Sequence, residues 1–416
     1  MKVLWFEVTP PGKYLGQGMV IGGWQDSLER IVRTCSEIDL TISFEAYSTL
    51  ADKCIEGVNY MPMYIKYNNQ EKQLSKKTWE INAEKLIPEM KRIVNTVKPD
   101  IIHVFGTEWP YGLIAEYTDI PVVIHIQGAI APYNNAMFPP NYNFFDVIRE
   151  IGWKHPKRIK KAWWEYSFDK SRLLIENRVW KVVKYYMGRT EWDKNLSEMM
   201  HPGRTYFHVE EALRQEFSIC NTSWKNTPRE KITLISTGCS TFWKGPDMLI
   251  KVAKILKEYG VNFEWKVAGS MIENVKRIVE MKEDMSFEEN NIIFLGFIEP
   301  NELSKHLTNA TMYVHTAYVE NSPNSICEAQ CLGVPIVSTN VGGIASLVKD
   351  GEQGILVPAN DPWQMAHAII KLAKDNNLMM RFSNNSKEIA RQRHSDEHIK
   401  EQLLRTYQTI IAENKC

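Results

Sequence analysis

The stretch MYVHTAYVENSPNSICEAQCLGVPIVS, residues 312–338, contains the pattern that decides the fold. It begins with an apolar strand, Met312–His315, and closes with a second apolar strand. Between the strands, Ser322 followed by Pro323 is typical of a helix N-cap and first helical position, and Gly333 is typical of a helix end. Near-continuous apolar strands separated by a helix predict a parallel sheet that is covered on both faces.

The same alternation of strand and helix continues along the whole chain. In the first half, strands are predicted over Val3–Val8, Leu40–Phe44, Ile101–Phe105, Val122–Ile126 and Lys184–Met187, and helices over Gln25–Thr34 and Trp79–Val97. In the second half, strands are predicted over Ile232–Ser236, Phe263–Val267, Ile292–Leu295, Met312–His315, Pro335–Ser338 and Ile355–Val357. Two such series predict an α/β protein with two Rossmann-like, doubly wound parallel-sheet domains that face each other across a cleft.

The domain boundary is predicted in the polar, aperiodic stretch Phe217–Glu230. We therefore expect an N-terminal domain over residues 1–215 and a C-terminal domain over residues 216–395. The final segment, residues 396–416, has apolar residues at helical spacing, which predicts an amphipathic helix with one buried face. Spacing leaves open whether this helix packs on the C-terminal domain or on the N-terminal one.

Composition narrows the class of protein and its compartment. The 416 residues include 50 basic and 50 acidic side chains, so no overall basic field favours nucleic acid. The 7 cysteines form no Cys-x-x-Cys pair that would suggest a zinc or redox site. The sequence has no run of about 18 apolar residues and no N-terminal signal pattern. These features predict a cytoplasmic protein that binds neither nucleic acid nor a structural metal.

The first chemical feature is a pair of glutamates around the start of the helix in residues 312–338. Glu320 lies in the loop before this helix and Glu328 lies inside it, so the amides of Asn324, Ser325 and Ile326 fall between them. Helix N-termini with unpaired N–H groups bind phosphate, and carboxylates accept hydrogen bonds from sugar hydroxyls. The pattern therefore favours a phosphate and sugar site, the alternative being a surface helix with two solvated glutamates.

A second strand-to-helix junction in the same half strengthens this interpretation. The strand Ile232–Ser236 is followed by Gly238 and then by Lys244, directly before a predicted helix. Gly238 permits close approach of a ligand to the backbone, and Lys244 provides a cation for a diphosphate. A lysine at the start of a helix is commonly just solvated, but two such junctions in one domain favour a phosphate site.

These residues resemble the nucleotide-sugar domain of the retaining glycosyltransferases of family 4, which have the GT-B fold. The resemblance rests on a run of short motifs whose order and spacing are specific, and it continues more weakly into the first half. The motifs are Gly238…Lys244-Gly245, Val267-Ala268-Gly269, Leu295-Gly296-Phe297, Glu320…Glu328-Ala329, Gly333-Val334-Pro335, Val341-Gly342-Gly343, Asp350-Gly351…Gly354, Gly22-Gly23, Pro99-Asp100…His103 and Gly188-Arg189-Thr190-Glu191-Trp192-Asp193.

The resemblance implies roles for individual residues. Glu320 and Lys244 would be catalytic, Glu320 binding hydroxyls of the transferred sugar and Lys244 binding the donor diphosphate. Glu328 would bind the ribose hydroxyls, and no metal or other cofactor would be needed. Further donor-binding residues would be Gly238, the backbone around Phe297 near the base, the amides of Asn324, Ser325 and Ile326, and Gly22 and Gly23 near the phosphate.

The sequence departs from the family pattern at several positions. Cys239 stands where members usually have arginine, and Gln127 stands where many have histidine. Gln127 can still bind a donor hydroxyl but cannot transfer a proton. Arg189 either supplies the missing positive charge near the donor or forms a structural salt bridge. The resulting hypothesis is front-face transfer, in which the departing phosphate takes the proton of the acceptor.

A basic and aromatic segment, residues 153–184, suggests what binds on the acceptor side. It contains ten Lys or Arg residues and three acidic residues. This composition suits an anionic membrane surface or a lipid-linked acceptor. The alternative is a solvated helix face with core aromatics. The sequence thus predicts transfer of a sugar from a UDP- or GDP-sugar to a glycan or lipid-linked acceptor, in synthesis of a surface polysaccharide. The alternatives are a non-catalytic scaffold that binds nucleotide or glycan, and a sugar-nucleotide epimerase or hydrolase.

Overall fold

The central strands of the first unit are buried on both faces, as parallel strands between helices must be. The computed structural model describes residues 1–416 except 17–22, 47, 76–77, 220–221, 228–229 and 416, and only the backbone at 166–169. The strands of this unit are β1 Lys2–Glu7, β2 Asp39–Ala46, β3 Lys53–Ile55, β4 Val58–Tyr60, β5 Met63–Tyr64, β6 Ile101–Phe105, β7 Val122–His125, β8 Tyr185–Gly188 and β9 Thr205–His208.

These strands form a sheet in the order β3-β4-β2-β1-β6-β7-β8-β9, with β5 paired to β2. Its ladders are parallel except for β3 with β4. Alternate residues of β1 enter two different cores: Leu4 and Phe6 pack on one face, Val3 and Trp5 on the other. Because successive strand side chains point to opposite faces, this alternation shows a sheet covered on both sides.

The second unit contains a separate parallel sheet. Its strands are β10 Ile232–Thr237, β11 Phe263–Ala268, β12 Ile292–Gly296, β13 Met312–His315, β14 Ile336–Thr339 and β15 Ile355–Val357. They are ordered β12-β11-β10-β13-β14-β15, and every ladder is parallel. In this Rossmann-type order, the strand sequence reverses between β10 and β13, and ligands bind beyond the carboxyl ends of strands at such a point.

Helices connect the strands throughout the described chain. They are α1 Gly12–Leu15, α2 Trp24–Val32, α3 Asn69–Leu74, α4 Glu80–Val97, α5 Ile130–Asn135, α6 Phe144–Ile151, α7 Pro156–Val182, α8 Glu191–Met200, α9 Gln215–Ser218, α10 Pro246–Glu258, α11 Glu273–Glu283, α12 Pro300–Asn309, α13 Asn324–Leu332, α14 Ile344–Leu347, α15 Pro362–Lys374, α16 Asn376–Arg393 and α17 Asp396–Glu413. Short 3-10 helices cover Pro110–Glu116, Phe242–Lys244 and Glu288–Asn290. No helix among the described residues combines the length and apolar character that crossing a bilayer requires.

The division of the chain differs from the simple split after residue 215. The first unit comprises Met1–Ala131, Trp164–Ala212 and His394–Cys416, and the second comprises Pro132–Trp163 and Leu213–Arg393. The sequence-based division placed residues 132–163 in the first unit, whereas the structure assigns them to the second.

Contacts of residues 138–146 with the rest of the second unit explain this assignment. Lys282 Nζ lies 2.9 Å from Asp146 Oδ1, and Tyr142 Oη donates to Glu283 Oε1 at 2.6 Å. The ring of Phe138 lies 5.5 Å from that of Phe242. These partners are more than 100 positions apart in sequence, so hydrophobic periodicity cannot predict the contacts between them.

The sequence left open which domain the C-terminal helix packs on, and the structure assigns this helix to the first unit. Its buried residues include Ile399, Leu403 and Tyr407, which join the same core as Val3 and Trp5 of β1. This helix begins at Asp396, as predicted, and ends at Glu413.

Candidate functional site

Glu320 lies just beyond the carboxyl end of β13 and is held there through its own backbone. Only 4% of the residue is exposed. Its carbonyl oxygen accepts a hydrogen bond from the Gly343 amide at 3.0 Å. Gly342, with a φ of +53°, passes so close that a Cβ there would lie 1.7 Å from the same oxygen. The loop after β14 therefore fixes the position of Glu320, and it accepts only glycine at residue 342.

The Glu320 carboxylate contacts two basic side chains. Its Oε1 pairs with the ammonium of Lys244 and lies 3.3 Å from Nε2 of His315. Burial alone would raise the pKa of Glu320, but Lys244 and His315 outweigh it and lower the pKa to about 2. Glu320 is consequently an anion at any pH near neutrality, with a buried carboxylate that can accept hydrogen bonds.

The two loops after β10 and β13 are joined by hydrogen bonds to backbone carbonyls. Thr316 Oγ1 donates to the Lys244 carbonyl at 2.9 Å, and the Tyr318 amide donates to the Trp243 carbonyl at 2.7 Å. Gly245 has a φ of +71°, and a Cβ there would lie 2.1 Å from the Thr316 carbonyl oxygen. Lys244 and Glu320 thus meet because neighbouring strands end at the same sheet edge and their loops pack closely.

Helix α13 begins one residue later than the sequence predicts. Pro323 occupies the N-cap, where Ser322 was expected. The Ile326 amide donates to the Pro323 carbonyl at 3.0 Å, so Ile326 is already bonded within the helix, unlike its predicted role. The amides of Asn324 and Ser325 belong to the first turn, which lacks intrahelical acceptors.

Polar atoms without a hydrogen-bond partner lie at this helix start and in the loop that carries Lys244. Within the described part of the chain, they include Ser322 Oγ and Asn324 Oδ1 at the helix start and Thr241 Oγ1 in that loop, each buried at the atom. Buried polar atoms are normally bonded, and each one that is not requires an explanation such as a ligand. Ser325 differs, because its Oγ accepts from Tyr313 Oη at 2.8 Å.

Glycines with positive φ lie at the ends of three adjacent strands of this sheet. Gly238, Gly269 and Gly296 follow or end β10, β11 and β12 with φ values of +72°, +101° and +68°. A Cβ at Gly238 would meet nothing within 4 Å, so its backbone faces open space. Phe297, the residue after Gly296, is 74% exposed.

Glu328 lies in the second turn of α13 and is paired with a residue that the sequence analysis missed. Arg214 donates from Nε to Oε1 and from Nη2 to Oε2 of Glu328, both at 2.8 Å. Burial raises the pKa of Glu328, and Arg214 opposes that effect. No motif around Arg214 signals this contact, and His315 was likewise noticed only as the end of a strand.

The candidate residues of the first unit have separate surroundings. Gly23 is the N-cap of α2 with a φ of +57°, and Gly22 lies outside the described residues. Gln127 Oε1 would lie 3.5 Å from a Cβ at Gly106, so it borders the loop after β6. His125 is fully buried, which drives its pKa well below the ordinary value.

Arg189 forms the structural salt bridge that the sequence left open. Its side chain is 3% exposed, and its Nε lies 2.9 Å from Glu211 Oε2. Its guanidinium also lies over the ring of Trp24, 5.3 Å from the centroid. In the second unit, Cys239 is 4% exposed, and burial raises the pKa of its thiol to about 12. Cys239 is therefore neutral and does not replace an arginine.

Comparisons with known proteins agree with this architecture. Residues 221–389 match the family model described as glycosyl transferases group 1. The capsular polysaccharide biosynthesis glycosyltransferase CapM of Staphylococcus aureus is 29% identical over 179 residues, 41% of this chain and 44% of CapM. The chain spans about half the length of the first curated relatives that it matches, 44% and 52%.

Two solved structures are similar over nearly the whole chain. Sucrose-phosphate synthase of Thermosynechococcus elongatus matches with a TM-score of 0.69 and 14% identity, covering 99% of both chains. HepE of Anabaena, solved in complex with UDP-glucose, matches with a TM-score of 0.62 and 15% identity, covering 98% of this chain and 100% of HepE. The chain therefore has the GT-B fold of two Rossmann-like domains, and its second unit matches the group 1 glycosyl transferases over residues 221–389.

Proposed function

We propose that this protein is a retaining glycosyltransferase. It moves a sugar from a UDP- or GDP-sugar to a glycan or lipid-linked acceptor, in the synthesis of a cell-surface polysaccharide. The observation that carries the proposal is the meeting of Lys244 and Glu320 beside the polar, unpartnered start of α13. The capsular role in the name of CapM and the UDP-glucose bound to HepE support the same class of reaction.

In the proposed donor complex, the diphosphate lies at the start of α13. Lys244 and the first-turn amides of Asn324 and Ser325 bind its negative charge, which the helix dipole also favours. Glu320 accepts hydroxyls of the sugar, and Glu328 accepts hydroxyls of the ribose. Gly238 and the backbone around Phe297 leave room for the nucleotide.

The proposed reaction needs no protein nucleophile. The bond between the anomeric carbon and the diphosphate oxygen breaks, and the acceptor oxygen attacks the same face of the sugar. The departing phosphate oxygen takes the proton of the acceptor hydroxyl, so charge and atoms balance. Lys244 and the amides of α13 stabilise the leaving diphosphate, which is the main electrostatic contribution to the rate. We propose that this arrangement replaces a metal, and activity in excess EDTA tests that point.

The decisive experiment is a thermal-shift panel of nucleoside diphosphates and nucleotide sugars. Ligands that bind only the native state raise the melting temperature with concentration. We expect one base to give a clear shift in the wild type, and a much smaller shift in Lys244→Met and Glu328→Ala. Lys349→Met is the matched control, because Lys349 is 69% exposed and pairs only at the surface.

Later product analysis separates the remaining alternatives. Retained anomeric configuration by NMR supports front-face transfer, and inversion contradicts it. Turnover of the donor without any acceptor would favour an epimerase or hydrolase. Absence of a shift with every nucleotide would favour a non-catalytic scaffold.

We also propose that the second unit docks on the anionic inner face of the cytoplasmic membrane. Phe145, Trp153 and Trp163 are 70%, 71% and 51% exposed, and residues 154–161 between the tryptophans carry five basic side chains. Exposed aromatic side chains among basic ones suit an anionic interface. Flotation with phosphatidylglycerol vesicles should retain the wild type and lose Trp153→Ser. Trp363→Ser, which removes a tryptophan that is 70% exposed elsewhere, should still bind.

A further inference from the structure

Arg214 and Glu328 form a two-point contact inside the second unit. The two nitrogen–oxygen distances are both 2.8 Å, one to each carboxylate oxygen. Glu328 is 3% exposed, so its carboxylate has little access to water and depends on this partner. The planar guanidinium fixes not only the distance but also the orientation of a carboxylate, which a lysine cannot do.

The guanidinium of Arg214 is itself held in place. It lies over the ring of Phe217, 4.8 Å from the centroid, and Phe217 is fully buried. Arg214 is also the N-cap residue of α9, close to the start of this part of the second unit at Leu213. The backbone and the guanidinium of Arg214 are thus both held in place. Because the guanidinium is bonded to both carboxylate oxygens, the orientation of Glu328 is fixed as well.

The pairing leaves Glu328 with unused acceptor capacity. An ionised carboxylate has about four lone-pair positions, two on each oxygen. Arg214 occupies one on each oxygen, so one on each remains. Two adjacent acceptors match the two neighbouring hydroxyls of a ribose, each of which can donate one hydrogen bond.

We propose that Arg214 is a positioning residue that orients the Glu328 carboxylate toward the two ribose hydroxyls of the donor nucleotide. The inference rests on the proposed function, since it takes Glu328 as the ribose-binding residue. Arg214 acts through Glu328 and not on the phosphates or the sugar. Its loss should therefore weaken recognition of the ribose while recognition of the diphosphate persists.

The test compares a ribonucleotide with its 2′-deoxy counterpart. The probes are UDP and 2′-deoxy-UDP, or GDP and 2′-deoxy-GDP if the thermal-shift panel selects guanine. Calorimetry on the chain of 416 residues gives the ratio of the two Kd values for the wild type, Arg214→Lys, Arg214→Met and Glu328→Gln. Arg381→Met is the control, because Arg381 lies in the same unit and donates to the Gly351 carbonyl.

The wild type should bind the ribonucleotide about tenfold tighter or more, as expected for a hydrogen bond to a charged acceptor. Arg214→Met should lower the ratio toward one, because it weakens the ribonucleotide more than the deoxynucleotide, which offers Glu328 only its 3′-hydroxyl. Arg214→Lys should give an intermediate ratio, because it keeps the charge and loses the two-point contact. With a nucleotide-sugar donor, these variants should raise KM more than they lower kcat.

Three outcomes would overturn the inference. In the first, Arg214→Met and Arg214→Lys keep the wild-type ratio although their melting temperatures fall, which assigns Arg214 a structural role alone. In the second, the wild type itself binds ribo- and deoxynucleotide equally. In the third, the wild type binds no nucleoside diphosphate at all, and this result alone also contradicts the proposed function.

Discussion

The Cα of Gly342 packs directly against the carbonyl oxygen of Glu320. A Cβ at residue 342 would lie 1.7 Å from that oxygen, and the adjacent Gly343 amide already donates to it at 3.0 Å. The loop after β14 therefore acts as a backbone support for a carboxylate that comes from the loop after β13. Gly342 and Gly343 have no side chains of their own, and their backbone holds Glu320 in position.

We expect Gly342→Ala to displace Glu320 and to lower kcat/KM by about a hundredfold, because small shifts of a positioned group have large effects on rate. The added methyl group has no space, so stability should also fall, by about 1–3 kcal/mol. Kinetics and thermal unfolding of the same preparation measure both effects.

Gly260→Ala provides the matched control for this variant. Gly260 has a φ of +82°, so alanine suffers the same kind of backbone strain there, but a Cβ meets nothing within 4 Å. Gly260→Ala should lose stability and keep its activity. Equal activity of Gly342→Ala and Gly260→Ala would show that support of Glu320 is not the role of Gly342.

The pairing of Lys244 with Glu320 predicts a change in pH dependence. In the wild type the pKa of Glu320 is about 2, so binding should not depend on its titration above about pH 4. Lys244→Met removes the first cause of that lowered pKa and leaves burial, which raises it. Nucleotide-sugar affinity of Lys244→Met, measured at a series of pH values, should therefore decrease toward acid pH as Glu320 gains a proton.

The double variant Lys244→Met/Glu320→Gln tests the Lys244–Glu320 ion pair by its effect on thermal stability. Removing Lys244 alone leaves a buried carboxylate with His315 as its remaining basic contact, whereas the double variant removes the carboxylate charge together with the ammonium. The double variant should thus melt at a higher temperature than Lys244→Met. A lower melting temperature would mean that the carboxylate is stable without the ammonium.

Most strands could be predicted from the sequence because they are buried on both faces and appear as uninterrupted apolar runs. Strands β1, β6 and β10 lie within about two residues of their predicted bounds. The missed strand β9, Thr205–His208, is at the end of its sheet and has partly exposed side chains, so it shows no such run. Strands β3, β4 and β5 are two or three residues long, too short for a periodic signal.

The site could be predicted only where it depends on local chain order. Lys244, Glu320 and the start of α13 follow strands, and strand ends at one sheet edge are neighbours by topology. Arg214 is 114 positions from Glu328, and Asp146 is 136 positions from Lys282, so no periodicity or motif connects either pair. Such contacts arise from tertiary packing, which a single sequence does not reveal.

The buried carboxyl of Glu176 predicts a second effect of pH, on stability. Glu176 is fully buried and accepts hydrogen bonds from Thr107 Oγ1 at 2.8 Å and from the Ile130 amide at 2.9 Å. Burial raises its pKa to about 7. Because this pKa is higher in the folded than in the unfolded chain, the stabilisation is complete below about pH 4.5 and is lost as the pH rises through about 7.

Glu176→Gln removes that titration while keeping an oxygen that can accept both hydrogen bonds. Relative to the wild type, the melting temperature of Glu176→Gln should increase between about pH 4.5 and 7. Above about pH 7, the variant should have gained about 3 kcal/mol in free energy of unfolding over the wild type, compared with about pH 4.5. This figure follows from 1.36 kcal/mol for each unit of the pKa shift. Glu198→Gln, at a carboxyl that is 51% exposed, is the control and should show a much smaller change. If the melting temperatures of Glu176→Gln and the wild type differed by the same amount at every pH, the raised pKa of Glu176 would be contradicted.

The last prediction concerns how the C-terminal helix is held in the first unit. Trp5 Nε1 lies 3.0 Å from Tyr407 Oη, which lies 2.6 Å from His103 Nδ1, and all three side chains are fully buried. Burial lowers the pKa of His103 to about 3, so the ring is neutral. Tyr407 therefore accepts from Trp5 and donates its single proton to Nδ1 of His103.

Tyr407→Phe preserves the shape of the ring but removes both partners' hydrogen bonds at once. The Trp5 N–H and the His103 nitrogen would then be buried and unpaired, at a cost of about 1–3 kcal/mol each. Urea unfolding followed by tryptophan fluorescence should show a lower midpoint for Tyr407→Phe, whereas Tyr64→Phe, at a residue 41% exposed, should match the wild type. An unchanged midpoint for Tyr407→Phe would mean that packing of Ile399 and Leu403, rather than this hydrogen-bonded group, holds α17 on its sheet.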